Sequence, residues 1–230
     1  MGKQKSLIND WPIWLVLLLP FVLTMYHWAD IPDQIAMHWN GAGEVDRWGE
    51  KGWEAFLLPV INVGVYLLLI ALPYIDPKKK TDNAQKAMRA FRYIFPIFFS
   101  GMAVLILYKW LGSEFEFTHY IYLCIAVFFL LLGNYMQTIK PNYFVGIRTP
   151  WTLENEENWR KTHRFGGRLW VAGGLVLIAL WFFLPTEQLS NALFYGAICL
   201  TVVTLLYSFG LYMLEGGNKA EEEAQKPEAG

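Results

Sequence analysis

The stretch 56-FLLPVINVGVYLLLIALPYI-75 runs for twenty residues without an Asp, Glu, Lys, Arg or His. A helix needs about 20 apolar residues to cross the hydrocarbon of a bilayer, so this segment predicts a membrane span. Working outward, five further runs read the same way: Trp11–Trp28, Tyr93–Trp110, Thr118–Gln137, Leu169–Pro185 and Leu189–Leu214. Their ionisable groups stand at their ends. Apolar residues make up 55% of the chain and aromatics 17%, and Trp and Tyr gather at the run ends as an aromatic belt requires. A water-soluble core has no use for six such runs. The expected fold class is all-α: a polytopic membrane protein with six transmembrane helices.

Orientation follows from where the 19 basic residues fall. Lys3 and Lys5 precede the first run, and Lys219 and Lys226 follow the last. The second loop holds Lys78, Lys79, Lys80, Lys86, Arg89 and Arg92, and the fourth holds Lys140, Arg148, Arg160, Lys161, Arg164 and Arg168. Only Arg47, Lys51 and Lys109 border the odd loops. The positive-inside rule therefore expects both termini and the even loops in the cytoplasm, in a multi-pass membrane protein. Cys124 and Cys199 lie in different runs, which excludes a disulfide framework and a zinc ribbon. The Gly- and Glu-rich tail 215–230 has the composition of a disordered segment.

Two loops are too specialised to be spacers. The first, 29–54, contains the turn signals Asn40-Gly41 and Ala42-Gly43 and three large amphipathic rings, Trp39, Trp48 and Trp53. Six acids against Arg47 and Lys51 make it locally acidic, a mouth that attracts cations. The fourth loop, 138–168, predicts a short cytoplasmic helix over about Leu153–Phe165. Thr152 is its expected N-cap, Glu156–Arg160 and Glu157–Lys161 its i,i+4 pairs, and Gly166-Gly167 its stop. Trp159 and Phe165 are expected to dip into the interface.

The strings IPDQIAMHWNGAGEVDRWGEK (31–51) and GNYMQTIKPNYFVGIRTPWTLENEENWRKTHRFGGRLW (133–170) resemble the SdpI-type immunity-protein family of the Bacillus SDP toxin. The first matches an N-terminal module these proteins often carry, the second their defining C-terminal module. The resemblance implies an N-terminal module over 1–85 and an SdpI-like module over 86–214. It also implies a bacterial membrane protein protecting cells against a secreted membrane-active peptide toxin, with membrane lipids and a cytoplasmic repressor-type regulator as further partners. No cofactor, catalysis or direct nucleic-acid contact is expected.

The residues leave several readings open. His38, Trp39, Asn40, Gly43, Glu44, Asp46 and Trp48 form the candidate extracellular ligand site. There His38, with His27 and Glu44, can serve a peptide or lipid contact, a metal, or only the packing of the loop. Asn142, Arg148, Thr149, Pro150, Trp151, Trp159, His163 and Arg164 form the candidate cytoplasmic site for a partner or phospholipid headgroup. Pro150 makes Thr149 extended, and Arg148 either grips an anion or ties the loop to span ends. Asn62 and Asn134, polar groups inside spans, are expected to bond between helices. A transporter or flippase is the first alternative function. The absence of Asp, Glu, Arg or His at mid-span counts against an ion-coupled one. A metal-dependent membrane enzyme is the second.

Overall fold

The structure, a computed structural model, describes residues 10–41, 43–75 and 82–224. Lys3, Lys5, Ala42, Lys78, Lys79, Lys80 and Lys226 lie outside the described residues, as does the tail beyond Ala224. Helices run over α1 (Trp11–Tyr26), α2 (Leu57–Ile75), α3 (Asp82–Trp110), α4 (Phe117–Met136), α5 (Pro150–Glu154), α6 (Glu156–Trp181) and α7 (Thr186–Ala224). Five of them, α2, α3, α4, α6 and α7, are long and apolar enough to cross a membrane. The sixth expected span, α1, has 16 residues and is about 24 Å long at the helical rise.

The chain departs from an all-α fold in its first loop. Gln34–Trp39 (β1) and Val45–Glu50 (β2) pair antiparallel, with a register shift around Met37. The turn signals were legible, but the strands are six residues each and one is almost wholly exposed, so they lack a clean alternation. Gly43 adopts φ +85°, the left-handed conformation that closes the Asn40–Glu44 turn.

The loop-four helix also differs from expectation. Thr149, not Thr152, caps the five-residue α5, and Asn155 caps α6 by accepting from Glu157 and Asn158 N–H. Gly166-Gly167 does not stop α6, which continues to Trp181 as a single rod. Glu157 takes both expected cations, Lys161 at 2.9 Å and Arg160 at 3.9 Å, so Arg160 leans away from Glu156. Helix α7 likewise runs on through 215–224, where composition predicted disorder; extending a formed helix costs far less than starting one.

The reason Gly166-Gly167 stays helical is packing. A Cβ on Gly167 would stand 2.6 Å from the Gly133 carbonyl oxygen, and one on Gly174 would stand 2.8 Å from Leu130 N. Gly133, Gly167 and Gly174 thus let the α4 and α6 backbones touch, the small-residue seam by which membrane helices gain van der Waals contact. On the other side of the bundle, Asn62 of α2 donates to Pro96 O and Ser100 Oγ of α3, and Ser100 donates to Val16 O of α1. The expected interhelical role of Asn62 is therefore met. Asn134, in contrast, is exposed on the outside of α4. Phe98 of α3 stacks on Phe128 of α4 at 4.2 Å, joining the two sides.

Gly167→Ala or Gly133→Ala should lower the stability of the detergent-solubilised protein by about 1–3 kcal/mol, read as a drop in thermal midpoint, because backbone opposes the new methyl. Gly64→Ala, which meets open space, should leave the midpoint unchanged or raise it.

Candidate functional site

Polar chemistry gathers at the two ends of the bundle. At one end the hairpin lies across the helix mouths. Its base is held by Trp110 Nε1–H donating to Ala36 O (2.8 Å) and by Lys51 Nζ donating to Ile31 O (2.9 Å). Lys51 also stands over the Trp28 ring, 5.0 Å from its centroid. The tip reaches the other half of the molecule. Trp39 packs on Phe117 with ring centroids 4.6 Å apart, Tyr122 OH donates to Gly41 O, and Gly43 sits against Thr118. The hairpin therefore straddles spans from both halves.

The expected residues of this end fall together on the hairpin, but on different faces. His38 Nδ1–H donates to Asp46 Oδ1 at 2.6 Å, and Asn40 Nδ2 donates to Glu44 Oε2 at 3.0 Å. These four are solvent-facing cross-strand pairs. Trp48 and Trp53 are 60% and 71% exposed, large apolar rings presented outward. Trp39 turns inward and lines a cavity with Thr24, Leu58, Ile61, Ala103 and Ile106. His27 pairs with Asp30 instead of joining His38. Among the described residues no three of His, Cys, Asp and Glu stand close enough to hold a metal.

At the opposite end the loop before α6 is tied into a buried knot. Asn142 accepts from Phe144 and Val145 N–H and donates to Lys140 O and Val145 O, folding the Pro141–Gly146 turn. His163 donates from Nδ1 to Trp159 O (2.8 Å), and its Nε2 accepts Ile147 N–H (2.9 Å). An imidazole accepting at Nε2 is uncharged, and both nitrogens are engaged, so His163 is a structural clasp. Gly146 (φ +114°) passes directly over its ring, where a Cβ would stand 2.4 Å from Nε2. Trp159 is 1% exposed, stacks on His163 at 4.1 Å and donates to Ile139 O; it is core, not an interface anchor. Phe165, half-buried, stacks on the half-buried Tyr207 of α7. Arg148 donates to the Tyr143 carbonyl within its own loop and not to a span end. Thr149 and Pro150 start α5, and Arg164 remains exposed.

Three residues of this knot went unread in the sequence. Asn158 and Thr162, one turn apart, meet Ser208 of α7. Thr162 donates to Ser208 Oγ (2.9 Å), Asn158 Nδ2 donates to Ser208 O (3.2 Å), and Trp151 Nε1 donates to Ser208 Oγ (2.9 Å). All three are at most 1% exposed. The available signal was a polar pair at i,i+4 and one Ser in an apolar run. Asp10 was also missed. Only 3% of its side chain is exposed, and it pairs with Arg92 at 3.1 Å and accepts from Tyr93 OH, pinning the start of α1 to α3.

Residues 138–208, which hold the knot, match the family model described as the SdpI/YfhL protein family. The chain carries an SdpI/YfhL-family module. Residues 15–63, which hold most of α1, the hairpin and the first turns of α2, match a domain of unknown function (DUF1648). The immunity protein SdpI of Bacillus subtilis (strain 168) is 24% identical over 205 residues, 89% of this chain and 96% of that relative. No solved structure matches. With its apolar helices, the SdpI-type module makes this a multi-pass protein of the bacterial cell membrane.

Ser208→Ala strands the Trp151 indole and leaves the Thr162 hydroxyl with Asn158 Oδ1 alone. It should destabilise the protein in detergent by about 1–2 kcal/mol, seen as a lower thermal midpoint, whereas exposed Thr201→Ala should have no measurable effect.

Proposed function

We propose that this protein confers immunity to a secreted membrane-active peptide, with the hairpin as its outward-facing receptor surface and the SdpI-type loop as its cytoplasmic face. The topology of this reading has six spans and both termini in the cytoplasm. Sixteen basic residues on one side against three on the other support it. The observation that carries the reading is the hairpin seated across both halves of the bundle, in a chain whose relative along nearly its full length is an immunity protein.

The peptide meets a rim with four more acids than bases, beside the outward rings of Trp48 and Trp53. Cationic, apolar segments suit such a rim. His38, Asn40, Glu44, Asp46 and Trp48 form this surface, while Gly43 closes its turn and Trp39, packed inward on Phe117, seats it on the bundle. The role is one of binding, without chemistry.

Relay to a cytoplasmic regulator is a second part of the reading. A contiguous set of contacts supports it. Gly43 touches Thr118 at the start of α4; neighbouring His119 bonds the carbonyl of Trp181, whose indole bonds back to His119 O. From Trp181 the rod of α6 leads to the His163 and Asn158 knot. Arg148, Arg164 and the exposed edge of α5 are the surface a regulator or headgroup would meet. The bonds of Ser100 and Arg92 to α1 favour grouping the third span with the first two, giving two modules of three spans rather than a division at residue 85.

Cells sensitive to an SDP-type peptide should survive challenge when they express this chain. The His38→Ala, Trp39→Ala, Glu44→Ala triple variant should lose protection at unchanged membrane abundance. Survival equal to the parent chain would refute the hairpin as receptor, and no protection by the parent chain would refute immunity itself.

A further inference from the structure

The cavity under the hairpin is not used by the immunity reading. It has a volume of about 250 Å³ and lies between the mouths of α1, α2 and α3, with β1 and Arg47 of β2 as its roof. Leu57, Leu58, Ile61, Ala103 and Ile106 make an apolar wall. Ile61 belongs at once to this wall and to the outside of α2, where it is 45% exposed next to Val60 at 56%. The cavity is thus continuous with the surface that faces lipid. Its size is below the roughly 300–1,000 Å³ of sites for drug-sized ligands, so it has room for the upper part of one chain, whose remainder stays in the lipid, and none for a folded peptide.

Its polar lining selects the other end of the occupant. Trp39 Nε1 is shut off from solvent and has no acceptor among the described residues, so a buried indole N–H is left for a carbonyl or phosphate oxygen. Arg47 lines the same cavity. Trp110, the other indole there, already donates to Ala36 O, and the Glu54 carboxylate already accepts Glu50 N–H. Among the described residues the one acid in its lining is Glu54, within a loop of six acids and two bases, an environment that favours a cationic group over a bare anion.

We propose that this cavity seats one acyl chain of an aminophospholipid drawn from the leaflet on the hairpin side. The ester carbonyl accepts from Trp39 Nε1, the phosphate meets Arg47, and the ammonium faces the hairpin acids. The inference goes beyond the immunity reading and does not depend on it. A lipid in this place props the hairpin base against α2 and α3.

The test uses the full chain, purified in detergent, stripped of lipid and incubated with dioleoyl phosphatidylethanolamine or dioleoyl phosphatidylglycerol at equal concentration. Retained lipid is counted by native mass spectrometry. One phosphatidylethanolamine should be held in clear preference to phosphatidylglycerol. Ala103→Trp, which fills the cavity, should abolish retention. Trp39→Phe, which keeps a ring but removes the donor, should weaken it about fivefold, the size of one hydrogen bond. Leu67→Trp, on the lipid-facing side of α2, should change nothing. The proposal is overturned by equal retention of the two lipids, by retention unaffected in both cavity variants, or by a peptide mass or detergent alone in the site.

Discussion

Hydrocarbon gives a polar group no partner, and every feature of this structure answers to that constraint. Within the bilayer the backbone satisfies itself as helix, and polar side chains bond across helices, as Asn62 and Ser100 do, or back to their own helix, as Thr201 and Thr204 do. Irregular backbone is confined to the ends. There it is either paired into a hairpin or folded around polar hubs such as Asn142 and His163. The recognisable surfaces therefore sit at opposite ends of a bundle whose middle has little chemistry to offer.

Close packing connects those ends. The α4 and α6 backbones meet at Gly133, Gly167 and Gly174, and α6 passes without a break from the buried Asn158 to Trp181 beside His119. The hairpin tip rests on the residue next to His119. On the proposed relay, a ligand that displaced the tip would press on a stiff element whose far end is anchored by Ser208 and the His163 clasp.

Five spans were legible because their signal is cumulative: twenty residues without a charge, nearly all of them apolar, have no competing interpretation. The resemblance in the two loops was likewise carried by long strings. What escaped was decided by tertiary packing. Gly166-Gly167 reads as a helix stop until a second backbone is seen to require it. Trp159 reads as an interface ring, yet lies in the core because its N–H finds Ile139 O there. Asp10 sat unremarked at the edge of a run, and only its distant partner Arg92 explains it. The hairpin strands were too short, and too exposed on β2, for periodicity to reveal them.

The account depends most on sidedness: the hairpin must face the medium from which a peptide arrives. In a Cys124→Ala, Cys199→Ala background, single Trp48→Cys and Glu154→Cys variants can be exposed in intact cells to a maleimide that does not cross membranes. The account predicts labelling at position 48 and none at position 154 until the cells are broken open. Labelling at 154 with protection at 48 would place the hairpin inside the cell and contradict it.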